Sequence, residues 1–189
     1  MKKFAACCFT GHRPEKMGYS LQEPNPRKYA LESRLAATVS GMAQKGVTTF
    51  YCGCARGFDL LAALSVLEYK KENSQIKLVC VIPFEDMGQS WTGHWKNTLE
   101  KVLSQSDETV VVSKIYTPWS YDERNRYMVD RSDAVITCWD GEKGGTENTL
   151  KYAKKKGIPI LNISKDYAEL PDENQNPQNY TAEQLPFCE

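Results

Sequence analysis

Three glycine-containing segments hold the residues best suited to anion chemistry. They are Thr10-Gly11-His12-Arg13-Pro14, Gly53-Cys54-Ala55-Arg56-Gly57-Phe58-Asp59 and Asp140-Gly141-Glu142-Lys143-Gly144-Gly145-Thr146-Glu147. Each directly follows a short apolar run. Gly53 and Gly57 remove side chains where a strand turns into a helix. This allows a phosphate to approach the backbone, where free N–H groups and the helix dipole favour negative charge. Arg56 adds a charge-assisted contact. Asp59, in the first helical turn, either complements the dipole or accepts hydrogen bonds from ribose hydroxyls. Gly144 and Gly145 repeat the pattern at a second helix start. Thr146 is there either an N-cap or, with Glu147, part of a pocket wall. A lone histidine is usually structural, but the cluster Gly11-His12-Arg13 at a strand end favours anion contact. Arg124 and Asn125 begin a later helix, where spacing alone does not distinguish a ligand from a solvated surface residue. Asp140, Glu142 and Lys143 read as an ordinary solvated turn.

The elements that must position these loops follow from hydrophobic pattern. Phe4–Phe9, Thr48–Cys52, Ile76–Ile82 (closed by Pro83), Thr109–Ser113, Ala134–Trp139 and Ile158–Ile163 read as buried strands. Leu31, Leu35, Val39 and Met42 recur at helical spacing, as do Leu60, Ala63, Leu64 and Leu67. Trp95, Leu99 and Val102 mark a third helix, Tyr121–Arg131 a fourth, and Leu150 with Ala153 a fifth. Alternating strands and helices predict a single Rossmann-like α/β domain over 1–163, a mostly parallel sheet with helices on both faces. Ligands of such sheets bind beyond the carboxyl ends of the strands. All three glycine loops fall on that edge, and this coincidence carries more weight than any one motif. From Ser164 the composition turns polar, and 164–189 reads as a tail with a docked end at Leu185-Pro186-Phe187. The aromatics Phe84, Trp91, Trp95, Tyr116, Trp119 and Tyr121 read mostly as core or lid packing, with one or two available to stack on a base.

Composition narrows the classes. Lysine plus arginine and aspartate plus glutamate number 24 each in 189 residues. That balance lacks the basic footprint of a nucleic-acid binder. No apolar run is long enough to span a membrane, and the N-terminal apolar stretch stops too soon for a signal peptide, so a cytoplasmic protein is expected. Among the seven cysteines, Cys7, Cys8, Cys80 and Cys138 lie in apolar runs. Cys52 and Cys54 are spaced too closely for an ordinary zinc site, and reduced core cysteines are preferred to a metal site or a reactive thiol. No metal and no defined cofactor are expected beyond a nucleotide-type ligand.

Taken in order, these residues resemble the SLOG superfamily, the Rossmann-like group that includes the DprA/Smf and LOG (Lonely Guy) proteins, and within it the YpsA-like branch of unknown function. The resemblance runs from Phe9-Thr10-Gly11-His12-Arg13-Pro14 through the Gly53–Asp59 loop, Ile82-Pro83-Phe84 and Trp91. It continues through Tyr121-Asp122-Glu123-Arg124-Asn125-Arg126-Tyr127-Met128-Val129-Asp130 and Ser132-Asp133-Ala134 to Gly144-Gly145-Thr146. It implies a Rossmannoid fold and a nucleotide-derived ligand such as ADP-ribose, NAD or a nucleoside phosphate. Superfamily members include sensors, DNA-processing proteins and ribosyl-bond hydrolases. A ligand-binding or sensing role leads here, with a ribosyl-bond hydrolase second and a DprA-like role third. The LOG enzymes place a catalytic glutamate three residues after the threonine of their glycine loop, where this chain has Thr149. Glu147 is displaced by two residues, and adjacent helical residues turn by about 100°. Asp59, Arg124 and Glu147 remain the weak catalytic candidates. The resemblance is compatible with a homo-oligomer, since many Rossmannoid sites complete themselves at a subunit interface.

Overall fold

The computed structural model describes residues 4–164. Its elements in chain order are β1 (Ala6–Gly11), α1 (Pro26–Gln44), β2 (Thr49–Cys52), α2 (Phe58–Lys70), β3 (Lys77–Phe84) and α3 (Gly93–Gln105). They continue with β4 (Glu108–Ser113), α4 (Ser120–Asp130), β5 (Ala134–Cys138), α5 (Gly145–Lys155) and β6 (Ile160–Asn162). The six strands form one sheet in the order β4-β3-β2-β1-β5-β6, with every pairing parallel. The expected Rossmann-like α/β domain is therefore the fold.

Side chains alternate across this sheet, and the two faces build separate cores. Cys7, Phe9, Phe50, Leu78 and Ile136 meet Leu31, Leu35, Leu60, Ala63 and Leu99 of α1, α2 and α3. The ring of Phe9 stacks on Phe50 at 5.8 Å and meets Phe58 edge-on at 6.4 Å. On the opposite face, Cys8, Val79, Val81 and Val135 meet Met128 and Val129 of α4 and Leu150 and Ala153 of α5. Burial of apolar surface on both faces is what makes the strands read as continuous apolar runs.

Three strands depart from expectation by two residues at an end, and the other three by one residue. β1 starts at Ala6 and continues to Gly11, because β5 pairs with it as far as Gly11 opposite Cys138. β3 is not closed by Pro83 but runs to Phe84, with Ile82 opposite Val111 and Phe84 opposite Ser113. β2 has already ended at Cys52, opposite Cys80, so one side of β3 is open at Pro83 and a missing N–H is tolerated there. β6 is only Ile160–Asn162, an edge strand paired with β5 alone. Helix α1 is fixed at its start by Asn25, whose side chain accepts a 2.9 Å hydrogen bond from Lys28 N, and by Pro26 in the first turn.

Cys7, Cys8, Cys52, Cys54, Cys80 and Cys138 are buried free thiols. Burial pushes the Cys7 and Cys8 thiols up to about 12, the inert condition of core cysteine. Among the described residues no helix is long and apolar enough to cross a membrane. Apart from Ser164, the expected tail with its docked end at Leu185-Pro186-Phe187 lies outside the described residues.

Candidate functional site

The strand order reverses at β1. From there the chain builds outward through β2, β3 and β4, then returns to place β5 and β6 on the other side. The loops leaving β1 and β5 therefore part, and a crevice opens above their carboxyl ends. A cleft of about 300 Å³ occupies it. Thr10, Gly11, His12, Arg13 and Lys16 line it from β1 and the following turn. Ala55 and Asp59 come from the loop after β2 and the start of α2. Tyr121, Arg124 and Asn125 come from α4, and Glu142, Lys143, Gly144, Gly145 and Thr146 from the loop into α5.

Arg124 and Asp59 are the buried charges of the cleft, 4% and 5% exposed. Arg124 projects from the first turns of α4 beneath the β2 loop. Its Nη1 donates to the Gly53 carbonyl, and its Nε donates to Asn125 Oδ1 at 2.8 Å. Asp59 Oδ2 accepts from the Ala55 N–H at 3.4 Å. Burial pushes the Asp59 carboxyl up to about 6, opposed by the positive charges of Arg124 and Arg13 and by the Ala55 hydrogen bond. Arg13 is exposed at the cleft mouth. The Tyr121 ring lies between the two guanidinium groups, 5.4 Å from Arg13 Cζ and 5.9 Å from Arg124 Cζ. Phe84 and Tyr116 support that ring edge-on.

The loop after β5 is built differently. Gly144 is the N-cap of α5 and has no side chain to cap the helix, while the Glu147 carboxylate in the first turn reaches back to the Gly144 backbone N–H. Thr146, considered as an N-cap from sequence, instead donates its hydroxyl to the Gly11 carbonyl at 3.1 Å, tying α5 to β1. Gly144, Gly145 and Thr146 at the start of α5 line the cleft, where the helix dipole favours an anion. Two side-chain pairs bridge this loop to the turn after β1. His12 Nε2 lies 2.8 Å from Asp140 Oδ1, and Lys16 Nζ lies 2.5 Å from Glu142 Oε1. The Asp140 carboxyl is held below the usual range, first by the backbone N–H of Glu142.

Of the residues expected from sequence, Thr10, Gly11, His12, Arg13, Ala55, Asp59, Arg124, Gly144, Gly145 and Thr146 come together around the cleft. Gly53, Arg56, Gly57 and Glu147 do not line it. Gly53 lies behind Arg124: a Cβ there would stand 1.9 Å from Arg124 Nη1 and 2.9 Å from Asp59 Oδ2. Gly57, at φ +95°, packs against the His12 carbonyl, and that carbonyl accepts the Phe58 N–H at 3.1 Å. The start of α2 is therefore sealed by the protein's own backbone. Arg56 pairs with Glu15 at 2.9 Å and lies over Trp91. Glu147 pairs with Lys151 at 2.7 Å, one turn along α5, which holds its carboxyl below the usual range. Thr149, at the position of the LOG glutamate, is buried and bonded to the Gly145 carbonyl.

Of the other lining residues, Tyr121 is a stacking candidate from sequence, Asn125 is undecided, Glu142 and Lys143 read as a solvated turn, and Lys16 alone goes unconsidered. For Lys16 the available signal was its place within five residues of the carboxyl end of β1. Burial raises the Cys52 thiol, and hydrogen bonding to Cys52 and Cys80 raises Cys54 well above its ordinary value, so neither is an activated nucleophile. Among the described residues, no group of three or more His, Cys, Asp or Glu side chains is placed to hold a metal ion.

Residues 7–167 match the model of the YspA SLOG family, and the chain belongs to that family. It is 31% identical over 144 residues to an SPbeta prophage-derived protein, YoqJ, of Bacillus subtilis, covering 69% of this chain and 84% of that one. It is 26% identical over 167 residues to the UPF0398 protein YpsA of the same organism, covering 83% and 91% of the two chains. Among solved structures it resembles DNA processing protein A of Helicobacter pylori, described for its single-stranded DNA binding mode. That match has a TM-score of 0.55 and 20% identity over 82% of this chain. DprA of Streptococcus pneumoniae matches with a TM-score of 0.56 and 16% identity over 88%. The chain spans only 63% and 54% of those two DprA chains. At these identities the likeness is one of fold.

Proposed function

We propose that this member of the YspA SLOG family binds or senses a nucleotide-derived ligand of the ADP-ribose, NAD or nucleoside phosphate type. The observation that carries the reading is the convergence at one cleft of Arg13, the buried Arg124 and the start of α5. An anionic group seated there meets two guanidinium donors and the positive end of a helix. The Tyr121 face supplies an apolar wall beside them. A cytoplasmic setting, where such ligands abound, suits this role. Calorimetric titration with AMP, ADP-ribose, NAD and cyclic nucleotides tests it, with single-stranded DNA as the control for the function its structural neighbours suggest. At least one nucleotide is expected to bind well below about 1 mM, a free energy of about −4 kcal/mol. Failure of all of them to do so overturns the reading.

One observation supports a second reading, hydrolysis of a ribosyl bond. Asp59 is buried at the cleft with its carboxyl pushed up to about 6, close to the pH at which a general acid or base works best. Glu147 points instead to Lys151. On this reading water cleaves the bond between base and ribose, and Asp59→Asn abolishes turnover while binding persists. Chromatography of AMP and NAD incubated with the protein decides it, and intact nucleotides after prolonged incubation exclude it.

A further inference from the structure

A second and larger cleft of about 620 Å³ opens on the same sheet edge, on the α1 side of the crevice. Its walls include Met17, Tyr19 and Trp139, with Arg27 at the start of α1 and Asn162 at the end of β6. Asn162 is locked in place. Its Oδ1 accepts from Trp139 N at 3.2 Å and Ser164 N at 3.1 Å, and its Nδ2 donates to the Trp139 carbonyl at 2.8 Å. Trp139 Nε1 donates to the Glu142 carbonyl at 2.7 Å. The indole is thus held by both its backbone and its ring nitrogen.

The two clefts abut. His12 and Lys16 line both, and the partition between them is made of the His12–Asp140 and Lys16–Glu142 pairs. In the second pair Lys16 and Glu142 are 40% and 52% exposed, so water screens it and it opens readily. The boundary pairs also touch backbone, the Asp140 N–H at 3.3 Å from His12 Nε2 and the Lys143 carbonyl at 3.3 Å from Lys16 Nζ. Opening frees an ammonium at the boundary. The characters of the clefts are complementary: the first has Arg13, Arg124 and the α5 start, and the second has a thioether and two aromatic rings, which suit a flat heterocycle.

Resting on the nucleotide-binding reading above, we propose that the ligand spans both clefts. An aromatic base sits between Met17, Tyr19 and Trp139, a bridging pyrophosphate meets Lys16 and His12, and a second sugar reaches toward Arg124 and the start of α5. The ligand class is therefore a pyrophosphate-bridged dinucleotide or nucleoside diphosphate sugar rather than a mononucleotide.

Calorimetry on the full chain with ribose 5-phosphate, AMP and ADP-ribose tests this, using wild type, Met17→Trp and Tyr19→Ala. Met17→Trp fills the second cleft, Tyr19→Ala removes one wall, and circular dichroism melts verify folding of both. The expected result is ADP-ribose binding at least ten-fold tighter than AMP or ribose 5-phosphate. Both variants should erase the advantage over ribose 5-phosphate, weaken AMP in parallel and leave ribose 5-phosphate unchanged. Comparable affinities for AMP and ADP-ribose, insensitive to both variants, overturn the two-cleft ligand and leave nucleotide binding standing. Absence of ADP-ribose binding in wild type overturns the two-cleft ligand, and absence of binding by every nucleotide tested, NAD and the cyclic nucleotides included, overturns both.

Discussion

The loops after β2 and β5 look alike in sequence, each a strand-to-helix turn rich in glycine, and they do opposite work. In the first, the glycines make room for protein. A Cβ at Gly53 would collide with Arg124, and one at Gly57 would stand 2.7 Å from the His12 carbonyl. In the second, the glycines leave space open. A Cβ at Gly145 would meet nothing within 4 Å, and one at Gly144 only Lys16 Nζ at 3.8 Å. Glycine at a helix start therefore signals close approach without saying what approaches. The β2 loop is a clamp that holds Arg124 and Asp59 beside the cleft, and the β5 loop is the part left open to it.

This contrast breaks most sharply at Gly57. Gly57→Ala places a side chain at φ +95° against backbone and is expected to destabilise the fold by about 3 kcal/mol or more in urea denaturation. A change under about 0.5 kcal/mol would mean the β2 loop is not a packing clamp.

Asp59 gives the next effect, with a defined pH signature. Its carboxyl is raised from 3.8 to about 6. Between those values the native state keeps a proton that the unfolded chain has released, so this group's contribution to stability is full below pH 4 and is lost as pH rises through 6. The loss by pH 7 is roughly 3 kcal/mol. Asp59→Asn should flatten this part of the pH–stability profile and raise neutral-pH stability by a similar amount. An unchanged profile would refute the burial argument.

Gly53→Ala follows, because the atoms it meets are the end of a flexible side chain. Displacing Arg124 breaks its bond to the Gly53 carbonyl, at a cost of about 2 kcal/mol, and nucleotide affinity should fall more than about ten-fold, read by calorimetry. Retained affinity would separate Arg124 from the ligand site. The smallest stability change is Gly145→Ala, within about 0.5 kcal/mol of wild type by thermal melting. A larger loss would make the β5 loop a second clamp and erase the contrast.

Much of this was legible in the chain itself. The apolar runs and the helical stripes led by Leu31 and Leu60 prescribe six strands alternating with helices, since burial on both faces demands continuous apolar strands. Parallel connections then bring every loop after a strand to one edge, which is why Gly11, Arg13, Asp59 and Gly144 could be named before their neighbours were known. Sequence could not decide which loop residues face each other. Arg124 resembles a surface arginine by spacing, yet it is buried against a carbonyl 71 positions earlier. Lys16 and Glu142, 126 positions apart, meet only because β5 lies beside β1. Local pattern fixes the elements and their shared edge through hydrophobic burial and chain chirality. The assignment of Gly53 to packing and Gly145 to open space depends on contacts between distant segments, and only the tertiary structure sets those.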